Sequence, residues 1–110
     1  MSSSGRAKRL DLHLPVEVRG QDLTGVAFTE LTRSLNVSGG GIMLECRRPL
    51  GIGTRLVLAI ELPPPLRHRF GDREVYRARA VVCRVEHREG GEPTRVAARF
   101  LPGTPDEPVV

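Results

Sequence analysis

Apolar and polar residues alternate in short runs along most of this chain. Leu12, Leu14, Val16 and Val18 alternate with His13, Pro15, Glu17 and Arg19, the period of a strand with one buried face. Pro15 has no N–H to offer a neighbour, so this first strand is expected at a sheet edge or with a bulge. Gly20-Gln21-Asp22 opens a loop that runs to about Gly25. A second strand follows over roughly Val26 to Val37, and its apolar phase slips between Phe28 and Leu31, which predicts a bulge or bend. A third, Ile42 to about Cys46, turns Ile42, Leu44 and Cys46 inward. After a connection rich in Gly and Pro (Arg47 to Gly53), Leu56, Leu58, Ile60 and Leu62 set the phase of a fourth.

The fifth strand is long, Val75 to about Arg88. Tyr76, Ala78, Ala80 and Val82 share one face, then Val81, Cys83 and Val85 the other. That change of phase predicts a strongly bent strand passing from one side of a barrel to the next. Glu89-Gly90-Gly91-Glu92 makes the last hairpin turn. A sixth strand, Thr94 to Leu101, points Val96, Ala98 and Phe100 inward. Pro63-Pro64-Pro65 stops the fourth strand and is expected to stay extended and stiff. Leu66 to Glu74, polar and charged, is expected to be the least structured part. No apolar period of 3.6 residues runs long enough for a helix, and none is expected after the last strand. Six strands with hairpin-length links predict an all-β fold, a small six-stranded antiparallel β-barrel, because closure removes exposed edges. The chain then divides into a flexible basic arm over 1–8, the barrel over 9–101 and a loose tail over 102–110.

Length and composition agree with a single soluble domain: 110 residues, 39% apolar and 27% charged. With three Phe, one Tyr and no Trp, the chain lacks the rings of a base-stacking platform, so nucleic acid is not an expected partner. No run of 18 apolar residues occurs and the first ten residues are polar and basic. A cytoplasmic protein without membrane insertion is expected. Cys46 and Cys83 form no Cys-x-x-Cys pair and are expected as reduced thiols within strands. The formal charge of +4 comes almost wholly from arginine, with Lys8 the one lysine. Guanidinium forks suit bidentate contact with phosphate or carboxylate, or they decorate a solvated surface.

Candidate chemistry concentrates in Leu35-Asn36-Val37-Ser38-Gly39-Gly40-Gly41. An amide, a hydroxyl and a glycine run between two strands are ordinary turn chemistry. They also hold short polar groups where a bulky ligand can approach the backbone. His13, His68 and His87 stand on separate segments without metal-ligand spacing, so no metal is expected. Ser38 has no triad partners, the glycine run lacks the Lys-Ser/Thr ending of a P-loop, and the acidic residues are scattered. The chain reads as a non-enzyme. Arg67, Arg69, Arg73, Arg77 and Arg79 form the strongest run of positive charge, either a solvated face or a docking surface. Phe70 among them suits a partner.

With Arg9 before the first strand and Asn36 to Gly41 between the second and third, the sequence resembles the PilZ family of bacterial cyclic di-GMP receptors. The resemblance covers about Arg9 to Leu101. The family pattern Asp/Asn-x-Ser-x-x-Gly is filled by Asn36, Ser38 and Gly41. The preceding Arg-x-x-x-Arg is half filled: Arg9 takes its second place, Gly5 stands in the first, and Arg6 and Lys8 lie close by. What the resemblance implies is a nucleotide-binding, second-messenger adaptor with no other cofactor. Cyclic di-GMP would bridge Arg9, with Arg6 or Lys8, and the Asn36/Ser38/Gly41 turn. Ordering the arm would then change the surface shown to a protein partner. Fixing about five arm residues costs roughly 5 kcal/mol or more, against about 1.5–3 kcal/mol for each charge-assisted bond. One fork fewer therefore weakens binding by about ten to a hundredfold. The alternative is a PilZ-like barrel that no longer binds the dinucleotide and serves as a protein-interaction module.

Overall fold

Six strands close into one antiparallel barrel in the computed structural model, which describes residues 11–103. They are β1 (Pro15–Gln21), β2 (Ala27–Val37), β3 (Gly41–Cys46), β4 (Arg55–Glu61), β5 (Val75–Glu86) and β6 (Thr94–Phe100). Alternation puts Val16, Val18, Leu44, Leu56, Leu58, Ile60, Val82 and Val96 wholly inside, so side chains fill the lumen as expected of a barrel this small. Two three-stranded meanders, β1–β2–β3 and β4–β5–β6, are stitched along both edges by the pairs β1–β4 and β3–β6.

The middle strand of each meander is the long one, and each carries a bulge where it changes neighbour. In β2, Ser34 faces Leu44 and Asn36 faces Met43, leaving Leu35 as the extra residue. In β5, Val82 faces Ala98 and Arg84 faces Ala97, leaving Cys83 as the extra one. An inserted residue reverses the facing of everything after it. Phe28 and Ser34 point inward before the first bulge and Val37 after it. In β5 the facing changes after Val82: Ala78, Ala80 and Val82 are buried, and beyond the bulge Val85 packs against the core, whereas Cys83 does not.

Five expectations need correction. The slip in β2 lies at Leu35, not between Phe28 and Leu31; Leu31 is 79% exposed and the core position belongs to Ser34. Pro15 is at neither an edge nor a bulge. It opens β1, where the ladder to β4 begins only at Val16, so no bond is lost. Pro64 and Pro65 are not extended but begin a one-turn helix, α1 (Pro64–Arg67), continued by a 3-10 turn (His68–Phe70), so the first half of Leu66 to Glu74, expected to be the least structured part, is helical. Proline's fixed φ suits a first helical turn, where its missing N–H would have no partner anyway. Finally, Cys83 sits in a strand but is exposed, while Cys46 is buried; both are free thiols.

This lid over Pro64–Phe70 closes one end of the barrel. Leu66, Phe70, Tyr76, Phe100 and Leu12 pack there against the core. Gly71 and Asp72 end the lid with φ of 72° and 60°, and the Asp72 N–H returns to the Arg67 carbonyl at 2.7 Å. The β2–β3 turn and the approach to β1 share this end; the β1–β2, β3–β4 and β5–β6 connections share the other. No helix among the described residues is long and apolar enough to cross a membrane.

Candidate functional site

The turn from Ser38 to Gly41 is held by its own serine. The Ser38 backbone N–H donates to the Gly41 carbonyl at 2.9 Å. The Ser38 Oγ accepts the Gly40 and Gly41 N–H groups at 3.2 and 3.3 Å. The hydroxyl thus fixes the backbone that a ligand would meet. Gly41 answers a packing demand: a Cβ there would lie 2.5 Å from the Ala98 carbonyl oxygen. Of the two uses open to it, room for a ligand or for close strand crossing, the second is what the backbone requires. Gly40 has open space on its Cβ side.

Beside the turn, a groove of about 460 Å³ runs along the β3–β6 seam. Its floor is low because the outward residues of those strands are Gly41, Met43 and Ala97. Its flanks are the two bulged strands, with Asn36 on one side and Cys83 and Arg84 on the other. Arg99, directly opposite Gly41 in the β3–β6 ladder, stands exposed along it. Among the described residues, Asn36 Nδ2 reaches only the Met43 thioether, at 3.8 Å, a weak partner. Arg84 is paired with Glu86 at 3.1 Å. Among the described residues no carboxylate lies within 4 Å of the Arg99 guanidinium.

Asn36, Ser38 and Gly41 are thus brought together. Arg6, Lys8 and Arg9 lie outside the described residues, but the chain that leads to them does not. The Ser34 Oγ accepts the Leu14 N–H at 2.9 Å and donates to the Leu12 carbonyl. The approach to β1 at Leu12 and Leu14 is therefore fastened two residues from Asn36. Sequence reasoning missed Arg99, Arg84 and Cys83, which the barrel carries to the groove from β5 and β6. An arginine facing a glycine across a ladder is a signal only once the register is known. The Arg67 to Arg79 run is split: Arg67 Nε donates to the Leu62 carbonyl at 3.1 Å, Arg79 to the Pro102 carbonyl at 2.8 Å. Arg69 and Arg73 stay exposed on the lid side. No three His, Cys, Asp or Glu side chains among the described residues are grouped to hold a metal ion.

A polar turn over a shallow, small-residue floor with an exposed guanidinium beside it can receive a flat, anionic ligand. Guanidinium forks bind phosphate in pairs of bonds and lie against purine faces. The PilZ domain profile matches residues 4–108 of this chain. No curated protein matches it in sequence. Its fold is similar to that of the inhibitor of motility MotI/DgrA from Bacillus subtilis, at 20% identity and a TM-score of 0.66, covering 96% of this chain and 46% of that one. It is similar to the PilZ domain of Escherichia coli YcgR with c-di-GMP, at 20% identity and a TM-score of 0.61, covering 94% and 82%. The K. pneumonia MrkH–c-di-GMP complex gives 18% identity and 0.60, covering 92% and 45%. The chain therefore spans less than half the length of MotI/DgrA and of MrkH.

Proposed function

The chain belongs to the PilZ domain family, and from that premise we propose that it is a cyclic di-GMP receptor and adaptor, binding without catalysis. The ligand lies in the groove along the β3–β6 seam. Arg9, with Arg6 or Lys8, answers its phosphates, and Arg99 adds a fork from the barrel wall. The Asn36 amide offers a donor and an acceptor to a guanine edge, and Ser38 and Gly41 hold the turn in shape. Residues 1–8 act as the arm of a barrel domain over 9–101, with 102–110 outside it, and settling of the arm changes the surface met by a protein partner.

One observation carries this reading: Ser34 fastens Leu12 and Leu14 two residues ahead of Asn36, so the segment that leads to residues 1–10 lies at the same rim as the turn. The profile match and the similar folds of two c-di-GMP complexes support it. Calorimetric titration with cyclic di-GMP, beside cyclic di-AMP and GTP, tests it. Heat is expected from cyclic di-GMP alone, with affinity in the micromolar range, about −8 kcal/mol, and weaker binding by Arg9→Ala and Ser38→Ala. No heat at ligand concentrations of about 100 µM overturns the reading in favour of a protein-interaction module.

A further inference from the structure

The Ser38–Gly39 turn is a ridge with a cavity on each side. The second, of about 470 Å³, lies between the turn and the lid and is lined by Arg69, Arg73, Phe70, Tyr76 and Phe100. The lid is a fixed frame: Leu66 packs on the core, Arg67 bonds the Leu62 carbonyl, and Asp72 bonds back to Arg67. Arg69 and Arg73 are therefore held at a set place on the rim. Both are exposed, and among the described residues no carboxylate lies within 4 Å of either guanidinium.

The same cavity is lined by a row of three rings. Phe70 and Tyr76 have centroids 5.1 Å apart, and Tyr76 meets Phe100 edge-on at 5.9 Å. Three of the four aromatic residues in the sequence are spent here, and all three are only partly buried. Unneutralised guanidinium forks take a phosphate, and ring surfaces beside them take a purine. An acidic peptide would satisfy the forks and leave the rings unused.

Ser38 lines both cavities, so a ligand with two purines and two phosphates seated at the turn meets both walls. We infer that Arg69 and Arg73, with the Phe70–Tyr76–Phe100 row, form a lid-side half of the dinucleotide site that takes one guanosine phosphate. The inference rests on the β3–β6 groove being a cyclic di-GMP site.

The test titrates cyclic di-GMP into the full chain, into Arg69→Gln/Arg73→Gln, and into Arg47→Gln/Arg55→Gln, which removes equal charge from the far end of the barrel. All four side chains are exposed, so thermal melting is expected to be unchanged. The lid variant is expected to bind about tenfold more weakly or worse, with the far-end variant within about twofold of wild type. Lid and wild-type affinities within about twofold of each other overturn the lid-side half and leave the groove intact. Equal losses in both variants reduce the effect to overall charge and overturn it as well. A wild type that gives no heat removes the groove and the lid-side half together.

Discussion

Ser34 grips Leu14 from two sides: the Ser34 N–H donates to the Leu14 carbonyl, and the Ser34 Oγ accepts the Leu14 N–H, both at 2.9 Å. The same hydroxyl donates to the Leu12 carbonyl. Ser34 is wholly buried, so these bonds form away from water and losing one partner leaves the others unsatisfied. Ser34→Ala is expected to lower stability by about 1–3 kcal/mol, read as an earlier denaturant midpoint with unchanged slope. It should also weaken cyclic di-GMP binding, because the arm loses its fixed departure point. A midpoint equal to wild type would remove Ser34 from the frame.

Gly41 and Gly40 make a matched pair. A methyl group on Gly41 meets the Ala98 carbonyl oxygen at 2.5 Å, a backbone atom that cannot rotate away, while one on Gly40 meets nothing within 4 Å. Gly41→Ala must spread the β3–β6 seam and is expected to cost about 1–3 kcal/mol. Gly40→Ala is expected to be nearly neutral in the same melting experiment. Equal effects would place the demand on the turn as a whole and not on the crossing.

The strands were legible because a half-buried strand shows its period in the residues themselves. What was not legible was register. A bulge shifts the phase at a residue that only pairing identifies, so the apolar pattern places the slip at Leu31, which is exposed, and passes over buried Ser34. Ser34 can be inside because Leu12 and Leu14 satisfy it, and nothing local to residue 34 announces them. The turn at Asn36 to Gly41 was readable because its chemistry is contiguous. Arg99 and Cys83 were not, since their place in the groove depends on closure of β3 against β6. The Pro63–Pro65 run misled because a φ near −65° suits an extended segment and a first helical turn equally.

At the opposite end of the barrel, Asp22 closes the β1–β2 connection. Its Oδ1 accepts the Thr24 hydroxyl at 2.6 Å and the Thr24 and Val26 N–H groups at 2.9 and 3.1 Å. Arg48 stands 3.7 Å from the other oxygen. The Thr24 hydroxyl bond is the largest influence; burial opposes it, and the two N–H groups and Arg48 add to it. Together they hold the carboxyl below its ordinary 3.8. A carboxyl with a lowered folded value stabilises fully above its unfolded value, and the contribution fades as pH falls through the folded one. The stability gap between wild type and Asp22→Asn should stay constant from neutrality down to about pH 5. It should narrow as pH drops below 3.8. A gap that is flat throughout that range would mean the carboxylate charge does not hold the loop.

The two thiols should behave as opposites. Cys46 is wholly buried at the end of β3, and burial pushes its thiol up to about 12, with Glu30 also raising it. It is therefore neutral and shielded at working pH, and a neutral thiol is a poor nucleophile. Cys83 is the extra residue of the β5 bulge, is exposed, and lines the groove beside Ala97, to whose carbonyl its thiol donates at 3.4 Å. Maleimide labelling of the native protein is expected to modify Cys83 alone, and both thiols react only once denaturant opens the barrel. Cyclic di-GMP, seated in the groove, should slow Cys83 labelling in proportion to occupancy, while GTP at the same concentration should not. Equal native reactivity of the two thiols would contradict the burial of Cys46. Unchanged Cys83 labelling under ligand that calorimetry shows to be bound would move the ligand out of the β3–β6 groove.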